Sequence, residues 1–559
     1  MQTIKFSLLP LTLALLTSGC AGVGGREPSS YSQMKVYAPS ILEEGQSASP
    51  IGIKGGMAPV ISNTKPITAK YAKIIENPVR LTKQDAVSTL ALDADTGSYS
   101  NVRRFLREGT LPPADAVRVE ELINYFPSDE VLANGKHPFA VTTEVSSAPW
   151  NKKNLLLRVG VKAIDIKEKD MPAANLVFLV DVSGSMDSKD KLPLLKAGLK
   201  LLVKKLRAQD RVSIITYANN EKLILSSTKG NHKDEIMGAI DSLEASGSTQ
   251  GDQALKMAYQ QVRKNWQENG INRILMATDG DFNVGVTNTD QMKEMVSRER
   301  ETGVTLSMLG FGRENLNDEM MEQMADVGNG NYGYIDSLQE AQRAFSDELS
   351  STFNTVAQDV KIQLEFNPQQ VAEWRLIGYE NRVLQEADFK NDKVDAGDVG
   401  AGKTVTALYE LTPVGENGLY DASRYSKSNN ETPAGDNKSE LGFLKLRYKQ
   451  PRGTESILLT QAIDGTARKY QSSSALPSQN FRLSAAVAAF GQLLRQSKFM
   501  GDYQFSDVIQ LAQTAIGDDK QGTRSEFVQL VKLADALQPT KPASPHKCDI
   551  SLINLDCSM

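Results

Sequence analysis

The chain has 559 residues, of which 40% are hydrophobic and 23% are charged, a composition typical of a globular protein that is too long for one hydrophobic core. Its 63 basic and 68 acidic residues leave a formal net charge of -5, which argues against a nucleic-acid-binding surface. The three histidines lie far apart in the sequence, which argues against a zinc site or a catalytic triad built on histidine. We therefore expect about two to four domains and no histidine chemistry.

The first 20 residues predict a secretory signal. In "MQTIKFSLLPLTLALLTSGCAG" a lysine precedes an apolar stretch too short to span a bilayer, and small residues lead up to Cys20. This order resembles the bacterial lipobox, which implies that Cys20 is lipidated and becomes the mature N-terminus in the cell envelope. By the same resemblance, Ala21 in place of an aspartate favours the outer membrane, with the protein facing the periplasm. A plain cleaved signal with a chance cysteine is the alternative.

A tether and a small helical unit follow the signal. Residues 21–66 are rich in Gly, Ser and Pro without sustained periodicity, which predicts a flexible tether. The stretch "DTGSYSNVRRFLREGTLPPADAVRVEELINYF" then predicts two helices separated by Pro112 and Pro113.

Alternating strand patterns occur on both sides of a long central segment. "FAVTTEVSSAPW" and "NLLLRVGVKAI" precede it, and "DVKIQLEFNP", "TVTALYELTPV" and "GFLKLRYKQP" follow it. We therefore expect one β-sandwich that is interrupted by an inserted domain, with the two flanks paired in space. The polar stretch 423–440 predicts a long hairpin loop.

The central segment alternates strands with helices. "NLVFLVD" is continuously apolar, as expected for a parallel strand that is covered on both faces, and the leucines of the next helix recur at spacings of three and four. The same alternation continues to about residue 350. It predicts a doubly wound, Rossmann-like α/β domain.

Three oxygen-rich loops follow elements of this domain. They contribute Asp181, Ser183 and Ser185 from "DVSGS", Thr249 from "GSTQ", and Asp279 from "TDG". In doubly wound sheets, ligands bind at the carboxyl ends of the strands where the strand order reverses, so these loops can meet there. Each loop alone is more typical of a helix cap.

The order and spacing of the five residues resemble the metal-ion-dependent adhesion site of the von Willebrand factor A fold. The resemblance implies that the two serines and Thr249 ligate a metal directly, that Asp181 and Asp279 act partly through water, and that an Asp or Glu of a protein partner completes the coordination shell. Hard oxygen donors without thiolate or imidazole favour Mg²⁺ or Mn²⁺.

Two other functions stay open. The protein can be a structural envelope protein whose metal site only stabilises the fold. It can also be a Mg²⁺-dependent hydrolase, although no positioned base, phosphate-binding loop or nucleophile elbow is present in the sequence to support an enzyme. We expect a binding module rather than an enzyme, with no organic cofactor.

The C-terminal part predicts helices and a short tail. "FRLSAAVAAFGQLLRQSKF" has core-like helical spacing, and together with "DADTGSYSNVRRFL" and "LIGYENRVL" it resembles the bacterial YfbK-like lipoproteins. Cys548 and Cys557 are the other two thiols of a chain that we expect to be exported, so we predict that they form a disulfide; two free thiols in a frayed tail are the alternative. The predicted organisation is a signal, a tether, a helical domain, sandwich strands, the A domain, further sandwich strands, a helical domain and a tail, in the ranges 1–20, 21–66, 67–130, 131–174, 175–352, 353–450, 451–540 and 541–559.

Overall fold

The computed structural model describes residues 69–128, 137–248, 252–280, 289–421, 439–465 and 476–539. The strands within these ranges are β1 (Arg80–Leu81), β2 (Val87–Ala91), β3 (Phe139–Ala148), β4 (Asn151–Ala163), β5 (Ala174–Asp181), β6 (Arg211–Tyr217), β7 (Lys222–Lys229), β8 (Ile271–Thr278), β9 (Thr305–Phe311), β10 (Tyr332–Ile335), β11 (Thr355–Phe366), β12 (Val371–Ile377), β13 (Val399–Gly400), β14 (Thr404–Pro413), β15 (Glu440–Lys449) and β16 (Ser456–Asp464).

The helices alternate with the central strands and cluster towards both ends of the described chain. They are α1 (Gly97–Arg107), α2 (Val119–Asn124), α3 (Leu192–Lys205), α4 (Lys233–Asp241), α5 (Asp252–Lys264), α6 (Thr289–Arg300), α7 (Asp318–Val327), α8 (Leu338–Gln342), α9 (Leu349–Phe353), α10 (Gln479–Leu494), α11 (Phe505–Gln513) and α12 (Thr523–Ala536). A π-helical turn, Arg343–Asp347, joins α8 to α9. Among the described helices, none combines the length and the apolar character needed to cross a membrane.

The central domain is built on a six-stranded sheet with the order β10-β9-β8-β5-β6-β7. Strands β5, β6, β8, β9 and β10 run parallel, and every residue of β5 is buried. One hydrophobic core lies on each face of the sheet, one around Leu195 and Leu199 of α3 and the other around Leu255 and Tyr259 of α5. The predicted doubly wound domain is therefore confirmed.

The edge strand β7 was missing from the sequence prediction. It pairs antiparallel with β6, whereas the other neighbours in this sheet are parallel. Its burial is irregular, with Leu223 and Ile224 exposed, because a strand at the edge of a sheet has a neighbouring strand on one side only. It therefore carries neither the continuous apolar run of a central strand nor a clean alternation.

The predicted sandwich is also confirmed, and strands from both sides of the insert build it. One sheet has the order β1-β12-β14-β4-β3, and the other has the order β13-β11-β15-β16 with β2 paired to β11. The register of β14 on β4 runs from Thr404 opposite Lys162 to Leu411 opposite Leu155, so strands separated by the whole central domain are direct neighbours. A single hydrophobic core fills the space between the two sheets.

Two predicted boundaries divide elements that the structure places together. Strand β16 lies inside 451–540, the range predicted to be helical, but it pairs with β15 along nine residues and belongs to the sandwich. Strands β1 and β2 lie inside 67–130 and also pair with sandwich strands. Such short or half-exposed strands are defined by their partners, which local sequence patterns do not reveal.

The two predicted helical units share one core. Side chains of α1 and α2 pack with those of α10, α11 and α12 in a single cluster that includes Tyr99, Leu122, Phe490 and Phe527. Phe527 stacks edge to face with both Phe126 and Phe490. The N-terminal and C-terminal helices therefore form one helical layer, although about 350 residues separate them in sequence.

Candidate functional site

The first three predicted ligands lie where β5 ends. Asp181 is the last residue of this strand, and Ser183 and Ser185 follow in the loop before α3. β5 lies between β6 and β8, and the chain places successive strands on opposite sides of it, so the strand order reverses here. Asp279 directly follows β8, the neighbour of β5, and lies at the same edge of the sheet.

Hydrogen bonds hold the "DVSGS" loop in place. The Ser183 amide donates to Asp181 Oδ1 at 2.9 Å, and the hydroxyl of Thr278, at the end of β8, donates to Asp181 Oδ2 at 3.1 Å. The Gly184 amide donates to the Gly247 carbonyl at 2.9 Å. Both oxygens of the Asp181 carboxylate are thus engaged by the loop and by the adjacent strand.

The loop that leads to Thr249 is joined to the same corner. The Ser246 amide donates to the Val182 carbonyl at 2.7 Å, and Asn219 Oδ1 accepts from both the amide and the hydroxyl of Ser248, at 2.8 and 2.9 Å. Thr249 itself lies outside the described residues. Its position as a ligand therefore stays a prediction, but the chain immediately before it is bound to the "DVSGS" loop.

Lys191 links two of the predicted ligands. Its ammonium donates to Asp279 Oδ2 at 2.9 Å and to the Ser185 carbonyl at 3.0 Å. Asp279 is fully buried and Lys191 nearly so. Sequence reasoning missed this lysine, because a lysine before a helix is usually a solvated surface residue. It also missed Thr278 and Asn219.

Burial governs the electrostatics of the site. It raises the pKa of Asp181 to about 6, although hydrogen bonds from Ser183 and Thr278 lower this pKa, and the nearby charge of Asp279 raises it. Two buried carboxylates in one corner repel each other and favour a cation between or beside them. In the described part of the site, Lys191 supplies one positive charge.

The donor atoms suit a small hard cation. The hydroxyl oxygens of Ser183 and Ser185 lie 3.0 Å apart, the distance of a hydrogen bond between them. Adjacent ligands of Mg²⁺, each at about 2.0–2.1 Å from the ion in octahedral geometry, are also about 3 Å apart. The pair can therefore accept Mg²⁺ or Mn²⁺ with little movement, and Ser183, Ser185, Asp181 and Asp279 are the described residues that would hold it.

An open cavity of about 490 Å³ lies beside the candidate ligands. Ser185 and Lys191 form one wall, and the loop after β9, with Arg313, Glu314 and Asn315, forms another. Arg313 donates to Glu108 Oε1 at 3.1 Å, so the loop is also connected to the residue that directly follows α1. Ser185 is the described candidate ligand that this cavity reaches.

A separate group of carboxylates does not belong to this site. Asp93, Asp95 and Asp326 have ligand atoms within 4.8 Å of one another. Arg382 forms ion pairs with Asp93 and Asp326, and Asp95 accepts a 3.0 Å hydrogen bond from the Tyr332 amide. Arg382 therefore already supplies a positive charge to this group. The group joins the central domain to the rest of the fold.

The predicted modification sites lie outside the described residues. This applies to Cys20, Cys548 and Cys557. Lipidation of Cys20 and the disulfide between the other two cysteines therefore stay predictions.

Comparison with known proteins agrees with this architecture. Residues 175–348 match the family "von Willebrand factor type A domain", residues 65–158 match "von Willebrand factor", and residues 351–537 match "Uncharacterized protein YfbK, C-terminal". Over 479 residues the chain is 49% identical to "Uncharacterized protein YfbK" of Escherichia coli (strain K12), covering 84% of this chain and 82% of that protein.

Two more distant matches each cover part of the chain. The human "Inter-alpha-trypsin inhibitor heavy chain H3" is 27% identical over 222 residues, which cover 38% of this chain and 22% of that protein. Among solved structures, "von Willebrand factor type A from Catenulispora acidiphila" has a TM-score of 0.39 at 14% identity, over 71% of this chain and 91% of that chain.

The doubly wound domain at 175–348 and its strand-end loops thus define a protein with a von Willebrand factor type A domain. The relationship extends to the sandwich and the helical layer on both sides of the insert. The chain belongs to the YfbK family.

Proposed function

We propose that this protein binds a protein partner in the cell envelope through a divalent ion held by Asp181, Ser183, Ser185, Thr249 and Asp279. A carboxylate of the partner completes the coordination of the ion. The observation that carries the proposal is the pair of serine hydroxyls, 3.0 Å apart, beside two buried carboxylates at the reversal point of the sheet. Type A domains typically mediate protein interactions, which supports a binding role.

The residues have separable roles in this proposal. Ser183 and Ser185 supply uncharged oxygens, so they hold the ion without cancelling its charge. Asp181 orients the loop through the Ser183 amide and contributes negative charge from the end of β5. The open cavity beside Ser185 gives a partner side chain access, and the ion, when bound, supplies the positive charge that attracts a carboxylate.

Metal binding is tested first. Because an ion that binds only the folded state stabilises it, millimolar MgCl₂ or MnCl₂ should raise the melting temperature relative to EDTA. Titration calorimetry should show binding that Ser183→Ala weakens. Ser188→Ala is the matched control, since this hydroxyl lines the same cavity but bonds to Asp190 at 2.6 Å. Equal melting in EDTA and in MgCl₂, with no heat of binding, would contradict the proposal.

Partner capture is tested next. Crosslinking in intact cells followed by affinity purification should recover a partner from wild type and from Ser188→Ala, and EDTA or Asp279→Ala should abolish recovery while circular dichroism shows an intact fold. Undiminished capture under both treatments would exclude a metal-dependent contact and would favour a structural role for the site.

We also propose that the protein is lipid-anchored through Cys20, in the outer membrane and facing the periplasm. The support is the apolar stretch followed by "TSGC". Cys20→Ser should yield an unprocessed or soluble protein on fractionation, and a correctly cleaved variant that remains in the membrane would overturn the proposal.

A further inference from the structure

Lys191 places a second cation at the candidate metal site. Its side chain is 6% exposed, and its ammonium is held by Asp279 Oδ2 at 2.9 Å and the Ser185 carbonyl at 3.0 Å. A buried ammonium persists only where acceptors compensate for its lost hydration. Here both acceptors belong to predicted ligand residues, so the lysine and a divalent ion would act on the same groups.

The backbone makes room for this lysine. Gly312, which follows β9, has φ of +68°, and a Cβ atom there would lie 2.1 Å from Lys191 Cε. Its carbonyl accepts a 2.7 Å hydrogen bond from Tyr334, which fixes the glycine against the sheet. A side chain at position 312 would therefore push the lysine out of its path. The buried position of Lys191 therefore depends on the glycine at position 312.

The lysine changes the charge that a divalent ion would keep. Asp181 and Asp279, both ionised, would neutralise a divalent ion completely. Lys191 already forms an ion pair with Asp279. With the lysine in place, one positive charge remains at the site, and it faces the cavity that Ser185 and Lys191 line together.

We propose that Lys191 is a positioning residue that withdraws the charge of Asp279 from the metal, so that the site binds the ion less tightly but binds an incoming carboxylate more tightly. This inference rests on the proposed function and adds the residue that adjusts it. Removing the lysine charge should strengthen metal binding and weaken carboxylate binding. A lysine that merely held Asp279 in position as a ligand would have the opposite effect on metal affinity.

The first test is a titration of the full-length chain with MnCl₂ by calorimetry at pH 7.5. Lys191→Met keeps the apolar stem beside Gly312 and removes the charge, so its Kd for Mn²⁺ should be at least about tenfold lower than that of wild type. Lys200→Met is the matched control, because Lys200 is on α3, the helix that Lys191 directly precedes, and pairs with Asp241 on the surface. Its Kd should equal that of wild type.

The second test uses acetate as the carboxylate probe. Acetate that replaces a water on bound Mn²⁺ lowers the relaxation rate of water protons, and acetamide serves as the uncharged control. Wild type should respond at several-fold lower acetate concentration than Lys191→Met. Circular dichroism checks the fold, and Lys191→Gln, which keeps a hydrogen-bond donor, replaces the methionine variant if that variant does not fold.

Each outcome decides the inference. Tighter Mn²⁺ binding together with a weaker acetate response in the variant supports it. An unchanged or weaker Mn²⁺ affinity in the folded Lys191 variant, with wild type binding normally, overturns the role of Lys191 and leaves the proposed function standing. Absence of Mn²⁺ binding by wild type overturns both.

Discussion

At the scale of single residues, buried arginines form ion pairs with carboxylates from distant parts of the chain. Arg103, on α1, is 1% exposed and donates to Asp336 at 2.8 Å, to Glu340 at 2.7 Å and to Glu526 at 3.1 Å. Its partners come from the central domain and from α12, so one guanidinium joins three parts of the fold. Such a network is costly to break, because each removed charge leaves a buried opposite charge behind.

Arg103→Met should lower the free energy of unfolding by about 3–5 kcal/mol, because Asp336 loses its bidentate partner in a buried position. Arg107→Met is the matched control. Arg107 is on the same helix and also pairs with Glu526, but it is 45% exposed, so its loss should cost about 1 kcal/mol or less. Urea unfolding monitored by circular dichroism checks both values, and equal losses in the two variants would contradict this account.

A second buried arginine, Arg118, lies beside three carboxylates and can neutralise the charge of one. Arg118 pairs with Glu121, Asp318 and Glu322. Burial raises the pKa of Glu121 to about 8, Arg118 lowers this pKa, and the charge of Glu322 raises it. The ionised form of Glu121 is therefore less favourable in the folded protein than in the unfolded chain.

The raised pKa of Glu121 predicts a pH dependence of stability. Because the pKa of Glu121 is raised in the folded protein, the contribution of Glu121 to stability is fully present below the unfolded pKa of about 4.3. This contribution is lost as the pH rises through about 8. Glu121→Gln should flatten the decline of the melting temperature between pH 5 and pH 8.5. Asp518→Asn, at an exposed site, should leave the slope unchanged. Identical slopes in wild type and Glu121→Gln would refute the assignment.

At the scale of elements, the loops around the candidate site are packed backbone to backbone. Gly280 follows Asp279 with φ of +98°, and a Cβ there would lie 2.4 Å from both the Asn315 carbonyl oxygen and the Asn317 nitrogen. Lys70 in turn pairs with the chain beside Asn317, through bonds of 2.8 Å to Leu316 and 3.1 Å from Asp318. The loop that lines the cavity is thus held from two sides.

Gly280→Ala should weaken Mg²⁺ binding and lower the stability by about 1–3 kcal/mol, because the methyl group forces strained backbone and pushes Asp279 and the cavity loop apart. Gly238→Ala is the control. This exposed glycine in α4 has no atom within 4 Å of its Cβ position apart from the adjacent backbone of its own helix, and alanine there should be neutral or stabilising by up to about 1 kcal/mol. Calorimetry and thermal unfolding measure both effects. Unchanged metal affinity in Gly280→Ala would show that the loop contact does not position Asp279.

At the scale of the whole molecule, the central domain is embedded in its surroundings. Ser100 of α1 donates to the Tyr334 carbonyl at 2.6 Å, and the Tyr332 ring packs against Gly97, so α1 covers the β10 edge of the sheet. The Arg103 and Arg118 networks cross the same boundary. An excised domain would expose an unpaired strand edge and several carboxylates without their arginines.

Residues 175–352 expressed alone should therefore melt at a lower temperature than the full chain and bind a hydrophobic dye more strongly. Adding residues 69–126 in trans should not restore the melting temperature, because α1 and α2 need α10–α12 to complete their core. Scanning calorimetry makes the comparison. An isolated domain that melts at the temperature of the full chain would show that the surrounding layers add no stability to it.

The sequence alone determined the features that depend on local order. The continuous apolar run of β5, the leucine spacing of α3 and the alternation of the sandwich strands each report a burial pattern that the chain carries itself. The same holds for Asp181, Ser183 and Ser185, because a strand end followed by short polar residues places them at one edge of the sheet. These signals predicted the doubly wound insert and the interrupted sandwich.

Beyond the pairing of the sandwich flanks, only the tertiary structure decided which distant segments meet. Strand β16 and the edge strand β7 are defined by their partners, and helices from both ends of the chain share a core because each alone has too little apolar surface to bury. Lys191 reaches Asp279 because Gly312, more than 100 residues later, leaves room for its stem. Contacts of this kind depend on the folded path of the chain, and no local pattern encodes them.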